Sequence, residues 1–197
     1  MGEAPDAPDG PQRDDEPPAV SHGTLEYIDA VVSAPVRMSP GREPACHIRR
    51  ATDRDAGQAW AVEQAAFAES DRFSLRQTRG LIANPRGRVF VAEAGGDIVA
   101  WTAMLIRRTR AGASGRLYTI AVSPGWAGRG LGRRLAAHGI ESLTREGIRR
   151  IYLEVRAEND RAIALYESMG FRVVRHLPTY YGEASPGLRM LLDTGRE

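Results

Sequence analysis

Two hydrophobic periodicities alternate along the chain from residue 46 onward. Apolar residues at every second position predict β-strands, and apolar residues at every third or fourth position predict α-helices. The predicted strands are CHIRRAT, RVFVAEA, DIVAWTAMLI, RLYTIAV, RIYLEV, FRVVRHL and GLRMLL. Four helices are predicted. The first begins at Asp53 and the second at Ser74, the third covers about residues 129–146, and the fourth runs from Asp160 to Met169.

The order of these elements predicts the fold class. Gly95, Gly96 and Asp97 join the second and third strands in a pattern typical of a β-hairpin, whereas helices separate the later strands. Early hairpins followed by helix-linked strands indicate an α/β (α+β) domain. We expect a mixed, largely antiparallel central sheet flanked by helices.

The first 45 residues differ from the rest of the chain. Residues 1–45 contain nine acidic residues, three arginines and eight prolines, a net charge of −6. Such a composition buries too little apolar surface to offset the entropy of ordering. We therefore predict a disordered acidic extension over 1–45, in which only residues 24–33 (TLEYIDAVVS) have helical potential, and one domain over 46–197.

Composition excludes several classes of chemistry. Cys46 is the only cysteine and the four histidines lack metal-ligand spacing, so we expect no disulfide and no metal. All 27 basic residues are arginines, so no lysine is available for Schiff-base or P-loop chemistry. Residues 46–197 have a net charge of +8, which favours anionic ligands. Basic runs with stacking aromatics are missing, so we expect no nucleic-acid partner.

The sequence also indicates where the protein acts. Its first twenty residues are acidic and proline-rich, unlike a signal peptide, and no apolar stretch approaches the ~20 residues of a membrane span. We therefore expect a cytoplasmic protein without membrane contact. We also expect a monomer or a weak dimer.

A glycine-rich segment, GWAGRGLGRR at residues 125–134, follows the predicted strand RLYTIAV and opens a predicted helix. A P-loop is excluded because Leu131 stands where the lysine is required. The G-x-G-x-G spacing and the short domain argue against a dinucleotide fold. The glycines instead suit backbone N–H groups that converge on an anion at a helix N-terminus. A flexible connection with solvated arginines is the alternative.

A second group of residues follows in IYLEVRAENDRAIALYESMGF. Glu154 points to the strand face opposite its apolar neighbours, and Asn159 or Asp160 caps the next helix. Tyr166 lies on the helix stripe that faces the sheet. A carboxylate and a phenol placed in this way can converge on one cleft. The alternatives are an ion pair with an arginine for Glu154 and a core position for Tyr166.

The combination of IAVSPGWAGRGLGRRL, LEVRAENDRAIALYESMGF and TYY resembles the GNAT superfamily of acetyl-CoA-dependent N-acetyltransferases. Within it, the sequence is similar to the RimI-like group, which acetylates the N-terminal alanine of ribosomal proteins. The resemblance covers about residues 46–193. It implies the GNAT fold, acetyl-CoA as co-substrate, and a primary amine as acceptor.

The resemblance also implies roles for single residues. Glu154 would be the general base and Tyr166 the general acid, while Tyr180 and Tyr181 favour a protein or peptide N-terminus as acceptor. The strand before the glycine loop would hydrogen-bond the pantetheine arm, the loop amides would hold the pyrophosphate, and an asparagine would contact the cofactor. These cofactor-binding residues are Ile120, Ala121, Val122, Gly128, Arg129, Gly130, Leu131, Gly132, Arg133 and Asn159.

One departure from the family pattern affects the glycine loop. Ala127 stands where the family usually has Gln or Arg, so a phosphate contact is missing or comes from Arg129. The acceptor is also open: a small amine, a lysine side chain, or a non-catalytic acetyl-CoA-binding module are alternatives. Loops around 70–85, 108–115 and 178–187 are expected to decide between them.

Overall fold

A computed structural model describes residues 45–110, 112–182 and 185–195. The predicted acidic extension over 1–45 lies outside the described residues except for Ala45. Seven strands are present: β1 (Cys46–Arg50), β2 (Gly87–Ala94), β3 (Asp97–Thr109), β4 (Gly112–Val122), β5 (Arg150–Arg156), β6 (Arg172–Leu177) and β7 (Gly187–Asp193). The α-helices are α1 (Ala56–Ala66), α2 (Leu75–Ala83), α3 (Leu131–Arg145) and α4 (Asp160–Glu167).

The strands form one sheet in the order β1-β2-β3-β4-β5-β7-β6. Every neighbouring pair is antiparallel except β4 and β5, which are parallel and are connected through α3. The predicted hairpin between β2 and β3 is present, with φ of 63° at Gly95 and 92° at Gly96. The mixed, largely antiparallel sheet predicted from the sequence is therefore confirmed.

The helices cover the sheet on both faces. Trp101 of β3 contacts Phe73, which precedes α2, whereas a Cβ atom on Gly139 of α3 would meet Met104 of the same strand. Because side chains alternate along a strand, these two β3 residues lie on opposite faces. The α1–α2 side and the α3 side are thus separate layers. Among the described residues, no helix is long and apolar enough to span a membrane.

The helices follow the predicted pattern with small shifts at their ends. A 3-10 turn at Asp53–Asp55 precedes α1, so the α-helix begins three residues later than predicted. Ser74 caps α2 by accepting a hydrogen bond from the Gln77 amide. The apolar stripe of α3 consists of Leu131, Leu135, Gly139 and Leu143, all buried against the sheet.

The segment over 108–115 was expected to be a loop that contacts the acceptor, and the expected loop conformation is wrong. β3 extends to Thr109 and β4 begins at Gly112, so most of the segment is paired strand. Gly115 lies at the end of this segment, where a Cβ atom would overlap the Leu143 side chain of α3. A glycine in β4 therefore lets α3 approach the sheet closely.

This close approach gives a first prediction. Gly115→Val should lower the free energy of unfolding by about 1–3 kcal/mol, because the added side chain overpacks the contact with α3. Thermal or urea unfolding measures the change.

Gly57→Ala is the matched control. No atom lies within 4 Å of a Cβ placed at Gly57, and alanine favours a helix over glycine. The control should be at least as stable as the parent protein. Equal stability of Gly115→Val and the parent protein would contradict the packing assignment.

Candidate active site

β4 and β5 are hydrogen-bonded neighbours for only two residue pairs. Gly115 pairs with Ile151 and Arg116 pairs with Tyr152, and no further pair joins these two fully described strands. β4 continues to Val122 beside β3, and β5 continues beside β7. A gap therefore opens between the two strands toward their carboxyl ends, and one backbone edge of each strand faces it.

Backbone groups of β4 line this gap. The Ser123 N–H donates to the Val99 C=O of β3 at 2.8 Å. Peptide groups of an extended strand point alternately to its two edges. Ile120 and Val122 therefore direct their N–H and C=O groups into the gap, whereas Ala121 directs its own toward β3. Of the three residues expected to hydrogen-bond the pantetheine arm, two therefore direct their backbone groups into the gap.

The glycine loop leaves β4 at the open end of the gap. Gly128 and Gly130 have φ of 76° and 72°, in the left-handed region that favours glycine. The first intrahelical hydrogen bond of α3 runs from the Arg134 amide to the Gly130 C=O at 3.0 Å. The amides that precede it have no partner within the helix and point out of its end: Leu131, Gly132 and Arg133. This end of α3 suits an anionic group.

Charged side chains accompany these amides. The Arg129 guanidinium lies 4.7 Å from the centre of the Trp126 ring, and the Arg133 guanidinium donates to the Ser168 hydroxyl at the end of α4. Ala127 is buried at the end of a short 3-10 turn. The loop therefore presents two guanidinium groups beside the helix N-terminus, where both favour negative charge.

The helix α4 places two more predicted residues. Asn159, and not Asp160, caps the helix, since its side-chain oxygen accepts from the Ala162 amide at 3.0 Å. Tyr166 is fully buried, with its ring edge-on to Phe171 at 5.7 Å. Its hydroxyl has no hydrogen-bond partner within the part of the chain that the structure describes. Burial raises the pKa of this phenol well above its ordinary value.

Two guanidinium groups contact the Glu154 carboxylate, whose side chain is 4% exposed. The Arg116 Nε lies 2.7 Å from Oε2, and the Arg189 Nε donates to Oε1 at 2.8 Å. We call these two residues the arginine pair. The ion pair that the sequence offered as the alternative for Glu154 is present, with two partners. Burial is the largest single effect on the pKa of Arg116 and lowers it, but Glu154, Tyr180 and Tyr118 together outweigh burial and the pKa is raised.

Arg116 also links the carboxylate to two aromatic side chains. Its Nη2 donates to the Tyr180 hydroxyl at 2.6 Å, and its guanidinium lies 5.3 Å from the centre of the Tyr118 ring. The Tyr118 ring in turn stacks on Phe73, with centroids 5.7 Å apart. The segment before α2 and the segment before β7 therefore both reach this side of the sheet. The sequence predicted acceptor contacts in these two segments.

Tyr181 occupies a different position from Tyr180. Its ring is buried, and the Arg156 guanidinium lies 4.7 Å from the ring centre. Arg156 also donates to the Ser185 hydroxyl and lies 3.9 Å from an Asp71 carboxylate oxygen. Arg156 thus connects the two predicted acceptor segments behind the tyrosines. Only Tyr180 places its hydroxyl against the arginine pair.

Known proteins resemble this chain in sequence and in fold. The acetyltransferase (GNAT) family matches residues 53–171. The chain belongs to the GNAT acetyltransferase family. It is 32% identical to the N-alpha-acetyltransferase RimI of Mycobacterium tuberculosis over 130 residues, which are 66% of this chain and 80% of the relative. The predicted fold and the predicted N-acetyltransferase activity are therefore confirmed.

Two further similarities extend the comparison. The crystal structure of the ribosomal-protein-S18-alanine N-acetyltransferase from Escherichia coli superimposes with a TM-score of 0.67 and 29% identity, over 78% of this acetyltransferase and 96% of that chain. The mycothiol acetyltransferase of Frankia alni is 35% identical over 133 residues. That alignment covers 59% of this chain and 39% of the relative.

The sequence analysis missed the arginine pair of this acetyltransferase. A signal was available, because a charged residue inside an apolar strand requires a buried partner or a ligand. Arg116 opens RLYTIAV, and Arg189 interrupts GLRMLL. Which arginines meet Glu154 depends on strand register, and Arg189 stands directly opposite Glu154 in the β5–β7 ladder.

Glu63 is a second residue that the sequence analysis missed. It is buried in α1, and its Oε1 accepts from the Phe73 amide at 3.3 Å. Burial raises the pKa of Glu63 to about 8, because the Phe73 amide and the Trp101 indole offset only part of the desolvation. Glu63 therefore ties the segment before α2 to the core through a carboxyl group that titrates near neutral pH.

This titration predicts a pH dependence of stability. Between about pH 4.5 and pH 8 the folded protein keeps a proton on Glu63 that the unfolded chain releases. This group therefore lowers the stability as pH rises, by about 1.4 kcal/mol per pH unit, and its effect levels off above pH 8. Glu63→Gln should flatten the decline and be more stable than the parent protein at pH 9. Unfolding midpoints between pH 5 and pH 9 measure it.

Glu141→Gln is the matched control, because Glu141 is exposed on α3 and pairs with Arg145. This variant should keep the pH slope of the parent protein. If Glu63→Gln also keeps that slope, Glu63 does not titrate in this range.

Proposed function

We propose that this acetyltransferase binds acetyl-CoA along the gap between β4 and β5 and transfers the acetyl group to the α-amine of a peptide or protein N-terminus. The observation that carries the proposal is the early separation of β4 from β5. It leaves the backbone of Ile120 and Val122 facing a gap that ends at the glycine loop.

The residues present fit acetyl-CoA as co-substrate. The pantetheine arm has amide groups that match the peptide groups of Ile120 and Val122. The pyrophosphate matches the loop amides from Gly128 to Arg133, which lie at a helix N-terminus. The buried Tyr166 hydroxyl, which has no hydrogen-bond partner among the described residues, would suit a ligand atom in the gap. Asn159 at the start of α4 would contact the same ligand.

Bound acetyl-CoA supplies a thioester carbonyl for direct attack by the amine. The Val122 N–H is the donor that we assign to the developing oxyanion, since its direction into the gap is fixed by the strand. It requires no reorganisation during the reaction, because β3 holds β4 in place. A covalent intermediate on the enzyme is not needed.

We assign Tyr166 to the departing thiolate. Its raised pKa keeps the phenol protonated at neutral pH, so its O–H is available as a donor. A hydrogen bond from this O–H would stabilise sulfur as the carbon–sulfur bond breaks, and the proton would pass to sulfur. The phenolate would recover a proton from solvent, to which Glu154 would release the proton taken from the amine. The hydrogen bond to sulfur would form as charge develops in the transition state, so it contributes to kcat and little to the affinity for acetyl-CoA.

We assign Glu154 to the amine proton, either directly or through a water. Each carboxylate oxygen can accept more than one hydrogen bond, so the arginine pair leaves acceptor capacity on Glu154 for the amine or a water. An α-amine with a pKa near 7.7–8.0 costs only about 1 kcal/mol to deprotonate at pH 7, whereas a lysine amine near 10.4 costs about 4.6 kcal/mol. A single carboxylate is therefore better matched to an α-amine.

The relatives favour the same class of acceptor. The M. tuberculosis relative is named an N-alpha-acetyltransferase, and the E. coli structure is of a ribosomal-protein-alanine N-acetyltransferase. A small-molecule amine is the second candidate, because the similarity to a mycothiol acetyltransferase covers 59% of the chain. Tyr180 beside Glu154 would contact either acceptor.

Tyr166→Phe tests the assignment of the phenol. We expect kcat to fall about 100-fold because the donor is lost, while the affinity for acetyl-CoA measured by calorimetry changes little. We also expect the free enzyme to gain about 1 kcal/mol of stability, because an unsatisfied buried hydroxyl is removed.

Tyr181→Phe is the control for stability, because the Tyr181 hydroxyl is also buried without a partner among the described residues. Both variants should unfold at a higher temperature than the parent protein. Normal turnover of Tyr166→Phe would remove the phenol from the mechanism.

A thiol-release assay tests the acceptor. Acetyl-CoA is supplied with peptides that differ in their first residues, with the same peptides blocked at the N-terminus, and with small amines that carry no thiol. We expect release with free N-termini and none with blocked peptides. Release only with small amines would favour the second candidate, and no release with any amine would indicate a binding module.

A further inference from the structure

We propose that the acceptor carries a carboxylate close to its reacting amine and that the arginine pair recognises it. For a peptide acceptor, this means an aspartate or glutamate within the first two residues. The proposal rests on the proposed function and narrows the substrate class of the same site.

The charges around Glu154 do not balance among the described residues. One carboxylate is contacted by two guanidinium groups, each through its Nε atom. Arg175 stands directly opposite Arg189 in the β6–β7 ladder and is exposed, so a further positive charge neighbours Arg189. Like charges opposite each other in a sheet are unfavourable. A site with this excess of positive charge is completed by an anion.

The arginine pair has donors left for such an anion. A guanidinium group has five N–H donors. Arg189 uses only its Nε on Glu154, and within residues 45–110, 112–182 and 185–195 its two terminal nitrogens donate to no protein group. Arg116 donates through Nη2 to Tyr180, and its Nε lies 2.7 Å from the Glu154 carboxylate without forming a hydrogen bond among the described residues. The unused terminal N–H groups can hold a carboxylate with two parallel hydrogen bonds.

Exposure shows that these donors are reachable. The Glu154 side chain is 4% exposed, but the side chains of Arg116 and Arg189 are 34% and 35% exposed. The carboxylate thus lies beneath the two guanidinium groups, and the guanidinium groups reach solvent. Glu154 holds the arginine pair in place and leaves its outer side open to a ligand.

The arginine pair lies beside the position assigned to the reacting amine. Arg116 belongs to the last residue pair before β4 and β5 separate, and Glu154 lies two residues beyond the β5 member of that pair. The gap assigned to the thioester begins at this point. An amine delivered to Glu154 therefore has the guanidinium groups beside it, within reach of a side chain on the same or the next residue.

The same charges exclude other acceptors. A cationic side chain near the amine would meet two guanidinium groups at short range, which is unfavourable. The arginine pair also disfavours the ammonium form of the acceptor, so that the reactive neutral amine is populated at lower pH. Because the protein has no lysine, this recognition relies on guanidinium groups alone, which stay charged over the whole working range.

Three matched peptide acceptors test the proposal. Three peptides of equal length differ only at the second residue, which is glutamate, glutamine or lysine, and kcat/KM is measured by thiol release. We expect glutamate to exceed glutamine by about 10- to 100-fold, the range for hydrogen bonds to charged groups. Lysine should be the poorest, and the preference should shrink as salt is raised. Free glutamate and glutamine, supplied as acceptors, distinguish a peptide carboxylate from that of a small amino acid.

Variants show whether the arginine pair is responsible. Arg189→Gln should reduce the ratio of kcat/KM for the glutamate and glutamine peptides toward one, and Arg189→Lys should keep part of it. Arg145→Gln, on the opposite face of the sheet at the end of α3, should keep the full ratio. Unfolding midpoints and acetyl-CoA affinity establish that each variant is folded.

Two outcomes overturn this proposal. They are equal rates for the three peptides with the parent enzyme, and an unchanged glutamate preference in Arg189→Gln that is folded. Both leave the proposed function intact, because peptides are still acetylated. Failure of the proposed function looks different: no peptide releases thiol at any second residue.

Discussion

The architecture depends on how β4 is held. β3 pairs with β4 along its length as far as Val122, whereas β5 leaves it after Arg116. One edge of β4 is therefore fixed and the other is open, so the backbone groups that face the gap keep their positions without a ligand. The glycine loop continues from the end of the same strand and opens α3. The two parts of the proposed acetyl-CoA site, the open edge of β4 and the glycine loop, are therefore both positioned by β4 and its partner β3.

The acceptor side depends on charge. Glu154 is buried and would be costly as an isolated carboxylate, and the arginine pair stabilises it. The Arg116 guanidinium also connects it to Tyr180 and, through Tyr118, to the segment before α2. An ion pair and a role in proton transfer are therefore compatible at Glu154. In the proposed mechanism, the ion pair orients the carboxylate and selects which acceptors approach it.

Much of the fold could be predicted from the sequence, because the periodicities of β2, β5 and α3 are strong and the turn residues between β2 and β3 are distinctive. The extended hairpin of β3 and β4 could not, because glycine, serine and arginine at 107–115 have weak strand propensity and are held by pairing. The loop, Glu154 and Tyr166 stood out through residue type and spacing. The arginine pair did not stand out, because the sequence contains 27 arginines and only the strand register shows which of them lie against Glu154.

The proposed site places acetyl-CoA along the open edge of β4. Residue-resolved amide hydrogen exchange by NMR, with and without acetyl-CoA, measures whether the ligand occupies this edge. We expect the amides of Ile120, Val122 and Gly132 to become protected on binding. The amide of Ser123, already bonded to β3, should change little. Unchanged exchange at Ile120 and Val122 under saturating acetyl-CoA would contradict the account.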